Sequence, residues 1–248
     1  MKKNMLTIVL PTFNSEKTLH ATLISLQKQT YKNFVVFLAD GGSSDKTLLI
    51  LKKSKLFIKI ISKKDKTNSE GVNKCLKKIK TKYFCIIGSD DILGDQNYIK
   101  NIIKQLEEKP KIDINFPNYG AIINNKKKII SQPKDFSQIN YKTIVPGYGW
   151  IGKTKILKEG LYSLKLRVAT DYEFFLRLYK KQYLFNRNNK HVYYFRIGGH
   201  SFKNALTGYK EVKDIALKFN GPIIKIFFDY ITSVIKYIIK YKILHHKY

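Results

Sequence analysis

Carboxylates placed where apolar runs stop are the residues of this chain best suited to chemistry. Tyr83-Phe84-Cys85-Ile86-Ile87-Gly88-Ser89-Asp90-Asp91 ends in two adjacent acids, and Asn33-Phe34-Val35-Val36-Phe37-Leu38-Ala39-Asp40-Gly41-Gly42 ends in one. Acid is scarce, with 18 Asp plus Glu against 47 Lys plus Arg. Adjacent carboxylates repel and are costly to hold together unless a cation sits between them. Oxygen-only donors suit hard ions such as Mg2+ or Mn2+, which commonly bridge a protein carboxylate to a substrate phosphate. Taken alone, Asp90-Asp91 also reads as a helix cap after a strand, and Asp-Gly-Gly as a plain turn.

These acids need elements to present them. Residues 5–108 alternate strand-like and helix-like segments. Strands are expected over 5–10, 34–39, 57–61 and 83–87. The first is closed by Pro11. Between them fall helices, the first capped by Asn14 or Ser15 and carrying Leu19, Leu23 and Leu26 at helical spacing. The others are expected near 44–54, 69–79 and 96–108. Such alternation predicts an α/β fold with mostly parallel strands sandwiched by helices. Ligands of these sheets bind beyond the carboxyl ends of the strands, a rim that would carry Pro11, Asp40, Ser62 and Asp90. After Pro110 the pattern changes. Residues 121–130 read as a hairpin turning at Asn124-Asn125, 131–150 as loop, 171–181 as a helix and 191–197 as a strand.

A chain of 248 residues, 44% hydrophobic, supports one large domain or a domain with an appendage. Its formal charge of +29 favours polyanionic partners: nucleotide phosphates, nucleic acid or an anionic bilayer. The lysines are spread along the whole chain, which disfavours a dedicated nucleic-acid groove. Cys75 and Cys85 lack any metal or redox spacing and read as reduced core thiols of a cytosolic protein. No signal-type run follows the first residues, so export is not expected.

In their order these motifs resemble a family 2 glycosyltransferase of the GT-A fold, over residues 5–205. Thr7-Ile8-Val9-Leu10-Pro11-Thr12-Phe13-Asn14-Ser15 resembles the family's first strand and nucleotide loop. Gln29-Thr30-Tyr31-Lys32-Asn33-Phe34 with Asp40-Gly41-Gly42-Ser43-Ser44-Asp45 resembles its second signature, and Asp65 with Asn73-Lys74 its third. Gly88-Ser89-Asp90-Asp91 stands at the metal-binding acidic motif, with Ser89 where the usual triplet has its first acid. Thr170-Asp171-Tyr172-Glu173 and Gly198-Gly199-His200-Ser201 complete the series.

The resemblance implies an inverting, metal-dependent transfer from a nucleoside diphosphate sugar, a uridine one, to a glycan or lipid-linked acceptor in bacterial surface polysaccharide assembly. It implies Mn2+ or Mg2+ on Asp91, with Asp90 nearer the ribose, and a nucleotide site of Pro11, Thr12, Phe13, Asp40, Asp65 and Lys74. Asp171 is implied as the general base, with Glu173 second, and Trp150 as an acceptor platform unless it packs in the core. His200 is read as a surface histidine. Residues 1–205 would form the catalytic domain, with a nucleotide-sugar half (1–115) and an acceptor half (116–205). Residues 206–248 would form a helical tail.

Within that tail, 223–244 places Lys225, Asp229, Lys236 and Lys240 near one helical face and Ile, Phe, Tyr and Val around the rest. A spanning helix would bury several of those charges, at about 2.5–3.5 kcal/mol each near the bilayer centre. Two arrangements avoid that: a helix in the plane of the inner face of the cytoplasmic membrane, or one packed on the domain. Two other functions compete for the chain as a whole. One is a non-catalytic basic protein that binds membranes or nucleic acid. The other is a nucleotidyl enzyme, for which Pro11-Thr12-Phe13-Asn14-Ser15 lacks the glycine-rich, basic phosphate loop.

Overall fold

The structure, a computed structural model, describes residues 5–123, 126–130 and 135–245, with side chains at all of these except 62, 63 and 240–245. Among the described residues one nine-stranded sheet forms the centre, in the order β3-β2-β1-β4-β8-β6-β9-β5, with β7 paired to β6. Its parallel half is β1 (Leu6–Thr12), β2 (Phe34–Asp40), β3 (Ile58–Lys63) and β4 (Tyr83–Ile86). β1 is buried along its whole length. That is why it reads as an unbroken apolar run rather than an alternating one.

Pro11 lies inside β1 rather than closing it. Val9 carbonyl oxygen accepts from the Ile87 amide on the β4 side. Pro11, two residues on, turns its nitrogen to the same side, where the β4 pairing has already stopped at Val9–Ile86. A missing donor costs nothing there. The neighbouring Thr12 faces β2 and aligns with Asp40.

The second half of the sheet mixes directions. β6 (Ile114–Ile123) and β9 (Phe185–Arg196) run parallel, with β8 (Ile151–Lys153) inserted antiparallel between β4 and β6. β9 begins earlier than the strand expected at 191–197. A bulge opposite Pro117-Asn118 interrupts its pairing and hides the alternation of its first half. β5 (Ile92–Leu93) and β8 are too short to show a period in sequence. The hairpin is present as β6 paired with β7 (Lys126–Ile130), and its Asn124-Asn125 turn lies outside the described residues.

Helices cover both faces. α1 (Leu19–Gln27), α2 (Thr47–Lys52) and α3 (Asn68–Leu76) serve the first half, with α3 against β1, β2 and β3. α4 (Tyr98–Glu108) buries Tyr98, Ile99, Ile102, Ile103 and Leu106, an apolar face at helical spacing. Asn115 donates to Gln105 of α4 at 2.7 Å, whereas its neighbour Phe116 meets Phe175 of α5 (Thr170–Lys180), with ring centres 5.2 Å apart. Adjacent strand residues point oppositely, so α4 and α5 sandwich β6.

The first helix begins later than a cap at Asn14 or Ser15 would place it. Its N-cap is Thr18, without a side-chain cap bond. Asn14, at φ 46°, instead turns its side-chain oxygen to the Ser44 amide at 2.9 Å. Tertiary closure of the rim took a residue that local sequence assigned to a helix end.

After a short turn of helix, α6 (His200–Lys203), the tail is two helices, α7 (Ala205–Lys218) and α8 (Ile223–His245). They part where Asn220 adopts φ 55° ahead of Gly221-Pro222, a left-handed stop followed by a residue that cannot continue the helix. Ile215 and Ala216 of α7 and Ile226 of α8 join the core. The opposite face of α8 exposes Ile224, Phe228, Ile231, Ile235 and Ile239. Among the described residues no helix is long and apolar enough to cross a membrane. Cys75 and Cys85 are free, buried thiols.

Candidate active site

The carboxyl ends of β1, β2 and β4 open on one rim. Gly41 amide donates to Thr12 carbonyl oxygen at 2.8 Å, locking the two strand ends together. Asp40, 2% exposed, accepts from the amides of Gly42 and Ser43 at 3.1 and 3.0 Å and from the Ser43 hydroxyl at 2.6 Å. Its carboxylate shapes the loop that follows it, and Thr12 adds a longer contact at 3.4 Å. Phe13 stands 63% exposed with its ring beside Gly41. An aromatic face left open at this rim is free to stack on a planar ligand.

The acidic loop is anchored by hydroxyls. Ser89 Oγ lies 2.7 Å from Ser15 Oγ, and Thr22 of α1 donates to Asp91 carbonyl oxygen at 2.8 Å. Ser89 thus fixes the loop from the position where the family's triplet has its first acid. Asp91 is buried and accepts from the Tyr193 phenol at 2.6 Å, while that phenol accepts from the Gly88 amide at 3.1 Å. Burial, and then the charge of Asp90, pushes the Asp91 carboxyl above its ordinary range. Burial also raises Asp90, with the Arg196 guanidinium opposing. A buried carboxylate beside a half-buried one, each disfavoured as an anion, fits a hard divalent ion as a donor pair. Among the described residues no cluster of three or more His, Cys, Asp or Glu could hold a metal by itself.

Asp171 arrives from α5, in the other half of the sheet. It is half-buried, and burial pushes its carboxyl up to about 6, the facing Tyr162 phenol working against that shift. Gly147 sits against it so closely that a Cβ there would fall 1.8 Å from Asp171 Oδ2. The next residue is Tyr148. Burial, then the charges of Asp171, Asp91 and Asp90, pushes its phenol upward, and Asn68 donates to its oxygen at 2.7 Å. Gly149, one residue further on, has the Tyr193 ring against it, and that phenol bonds Asp91, so one short segment runs from Asp171 to the acidic loop. Asn73, matched to the family's third signature, grips both backbone groups of Tyr162, at 2.8 and 3.0 Å.

Other expected residues sit differently. Trp150, expected as an acceptor platform, is fully buried. It packs edge-on against Phe84 and Phe175 and donates its indole N–H to Gly147 carbonyl oxygen at 2.6 Å. Neither ring face is open to a sugar, so Trp150 is a core residue; a large aromatic contributes more by burial than its spacing in sequence reveals. Lys74 is joined to Asp65 at 2.7 Å and to Glu70 at 3.0 Å. Those hydrogen bonds, Asp65 first, raise its ammonium. The Lys74 side chain is 45% exposed, and its ammonium keeps a third donor free of the two carboxylates. Glu70 also accepts from the Lys66 amide at 2.9 Å while Thr67 caps α3 through the Glu70 amide at 3.1 Å, so Thr67 and Glu70 together close the start of α3. Glu173 pairs with Arg177 at 3.0 Å rather than turning to the site. His200 is exposed at the start of α6.

Sequence reading did not find Tyr148, Tyr162 or Tyr193. A chain with 17 tyrosines offers no local signal to single them out. Gly147, in Pro-Gly-Tyr-Gly-Trp, carried a detectable signal, since paired glycines flanking an aromatic mark a close backbone approach. Gly149 shows the same need, at φ 87° with the Tyr193 ring against it.

A parallel nucleotide-type half, an antiparallel β8 and β5 in the second half and acidic residues at the strand ends define a GT-A glycosyltransferase. Residues 7–185 match the family described as Glycosyl transferase family 2, and the chain belongs to that family. It is 26% identical over 253 residues to the Escherichia coli UDP-Glc:alpha-D-GlcNAc-diphosphoundecaprenol beta-1,3-glucosyltransferase WfaP, covering 96% of this chain and 97% of that protein. It is 27% identical over 242 residues to a Methanococcus voltae dolichyl N-acetyl-alpha-D-glucosaminyl phosphate 3-beta-D-2,3-diacetamido-2,3-dideoxy-beta-D-glucuronosyltransferase, covering 87% and 74%. Among solved structures, S. aureus TarS 1–349 with UDP-GlcNAc superposes with a TM-score of 0.70 at 24% identity, over 86% of this chain and 66% of that one. The Pyrobaculum calidifontis mannosyltransferase PcManGT, with GDP-Man and Mn2+, gives 0.69 at 15%, over 88% and 65%. This chain spans 39% of the longer TarS chain.

Proposed function

We propose that the protein is an inverting, divalent-metal-dependent enzyme that moves a hexosyl or N-acetylhexosaminyl group from a uridine diphosphate donor to a glycan or polyprenyl-diphosphate-linked acceptor in bacterial surface polysaccharide assembly. The observation that carries this reading is the 147–149 segment, which touches Asp171 at Gly147 and, at Gly149, the Tyr193 ring whose phenol bonds Asp91. It links a proton acceptor to a cation-binding pair. The likeness to WfaP supports a lipid-diphosphate acceptor and a uridine donor.

In this mechanism Phe13 stacks on the base, the Pro11-Thr12 strand end lies beneath the nucleotide, and Asp40 and Asp65 line the base and ribose end. Lys74 lies toward the phosphates. Asp91 would hold Mn2+ or Mg2+, with Asp90 beside it toward the ribose. When bound, such an ion neutralises the charge that grows on the diphosphate as the glycosidic bond breaks. Asp171 takes the proton from the acceptor hydroxyl. The hydroxyl oxygen forms the new bond to the anomeric carbon from the face opposite the diphosphate, which departs with the bonding electron pair. A carboxyl raised to about 6 is anionic at neutral pH, yet more basic than an ordinary one.

The exposed stripe of α8 lies beside Lys225 and Lys236, an arrangement suited to the plane of an anionic leaflet on the inner face of the cytoplasmic membrane. The packed face of the same helix holds α7.

The test is turnover of uridine, guanosine and thymidine diphosphate sugars with and without Mn2+, beside D91A. Mn2+-dependent cleavage of a uridine donor, lost in D91A, is expected. Preference for another base would overturn the donor assignment, and undiminished cleavage by D91A would overturn the metal assignment.

A further inference from the structure

We propose that Glu211 of α7 is a positioning residue for the catalytic base, holding in place the backbone from which Asp171 projects. The inference rests on the reading of Asp171 as general base. α5 starts at Thr170, and its N-cap, Ala169, has no side chain with which to cap it. The loop that leads into this helix start is held instead from another helix. Glu211 Oε1 accepts from the Arg167 amide at 2.7 Å, and Oε2 accepts from the amides of Val168 and Ala169 at 2.9 and 2.8 Å. Three backbone donors on one carboxylate are charge-assisted hydrogen bonds, the stronger kind. The negative charge also stands at the N-terminal end of α5, where the helix dipole favours it.

A second observation shows that the approach is built in. Gly208, one turn before Glu211, faces Val168, and a Cβ at Gly208 would come within 2.9 Å of Val168 Cγ1. A side chain at that position would drive α7 away from the loop. Asp171 is therefore confined from two directions. Gly147 leaves it no room on one side, and the Glu211-bound 167–169 segment sets its height on the other. Placement within a fraction of an ångström decides rate, and about 1 Å of error can cost 10²-fold.

The experiment uses the full chain, with Mn2+ and UDP-glucose or UDP-N-acetylglucosamine, and compares E211Q, D214N, D171N and the double variant E211Q/D171N. In E211Q the amide keeps one acceptor oxygen and turns a donor toward the loop amides. D214N removes ion pairs of the same helix, to Lys210 and Lys213, without touching residues 167–169. E211Q is expected to lose about 10–100-fold in kcat with donor KM and UDP affinity unchanged, while D214N keeps its rate. The acid limb of the E211Q pH–rate profile should move down as Asp171 becomes better solvated. The groups that face Asp171 there, Tyr162, Tyr148 and Tyr119, are the same in both proteins. In the D171N background E211Q should cost nothing further. Unchanged kcat in a folded E211Q would overturn the proposal. So would an equal loss in both backgrounds, which would mark a general structural role. If E211Q unfolds, E211D, which keeps the charge on a shorter arm, must restore folding with kcat still depressed; full activity in E211D would overturn the proposal. Full activity in D171N would instead overturn the base reading itself, and this inference with it.

Discussion

At the scale of single residues, the site holds its carboxylates in places that make them poor anions. Burial raises Asp171 to about 6, so in the folded protein it binds a proton that the unfolded chain has already lost between pH 4 and 6. A carboxyl raised on folding favours the folded state less as pH climbs through that window. D171N should therefore raise the melting temperature at pH 7 by a few degrees, corresponding to about 1–2 kcal/mol, while lowering kcat about 10²–10⁴-fold. In the wild type kcat should rise with pH and level off above about 6, because only the ionised base accepts the proton. A rate that falls across that range would exclude Asp171 as the base. Tyr193 is a second case. Y193F leaves Asp91 without its 2.6 Å donor and the Gly88 amide without an acceptor. A buried group stripped of its partner costs about 1–3 kcal/mol. Chemical denaturation should show that loss, and titration with Mn2+ in the presence of UDP should show weaker metal binding.

At the scale of elements, the site exists because two strand ends and one helix start converge, and close backbone approaches decide how well. Gly147 contacts Asp171 directly, so G147A must move either the 146–149 segment or the carboxylate. The expected result is a fall in kcat of at least about 10-fold, as misplacement of a reacting group predicts, with little change in UDP affinity measured by calorimetry. W150A tests the same segment from below. Trp150 fills the core between β4 and α5, and its loss should cost about 3–5 kcal/mol of stability. A W150A protein that melts like the wild type but fails to use acceptor would restore the platform role.

For the molecule as a whole, α7 and α8 contribute Ile215, Ala216 and Ile226 to the core shared with the sheet. Ile226 of α8 is buried in the core, so deleting the last helix would uncover α7 and confuse anchoring with folding. Substitution of the exposed stripe separates the two. I224E/F228E is expected to abolish co-sedimentation with vesicles rich in anionic lipid while leaving donor hydrolysis in solution intact. Wild-type binding should weaken as salt rises, because the lysine contribution is screened beyond about 8–10 Å. Unaltered vesicle binding by the double variant would remove α8 from the membrane reading.

The parallel half of the fold was legible in the sequence because its strands read as apolar runs, with β1 and β4 buried throughout, that stop at turn residues or acids, so chain order alone carries the signal. Asp40, Asp90 and Asp91 stood out for the same reason. Asp171 needed the order of the family's motifs, since one acid at a helix start looks like any cap. What the sequence by itself determined is a sheet rim edged with scarce carboxylates and a tail with an apolar face. The tertiary structure alone decided which partners those groups acquired. Gly147 closes on Asp171, Tyr193 holds Asp91, Trp150 turns inward, and Glu211 holds Ala169, 42 residues before it in the chain. Each of these contacts joins positions dozens of residues apart. Local propensity and periodicity describe only neighbours in sequence, and a carboxylate's pKa and a tryptophan's exposure are set by neighbours in space.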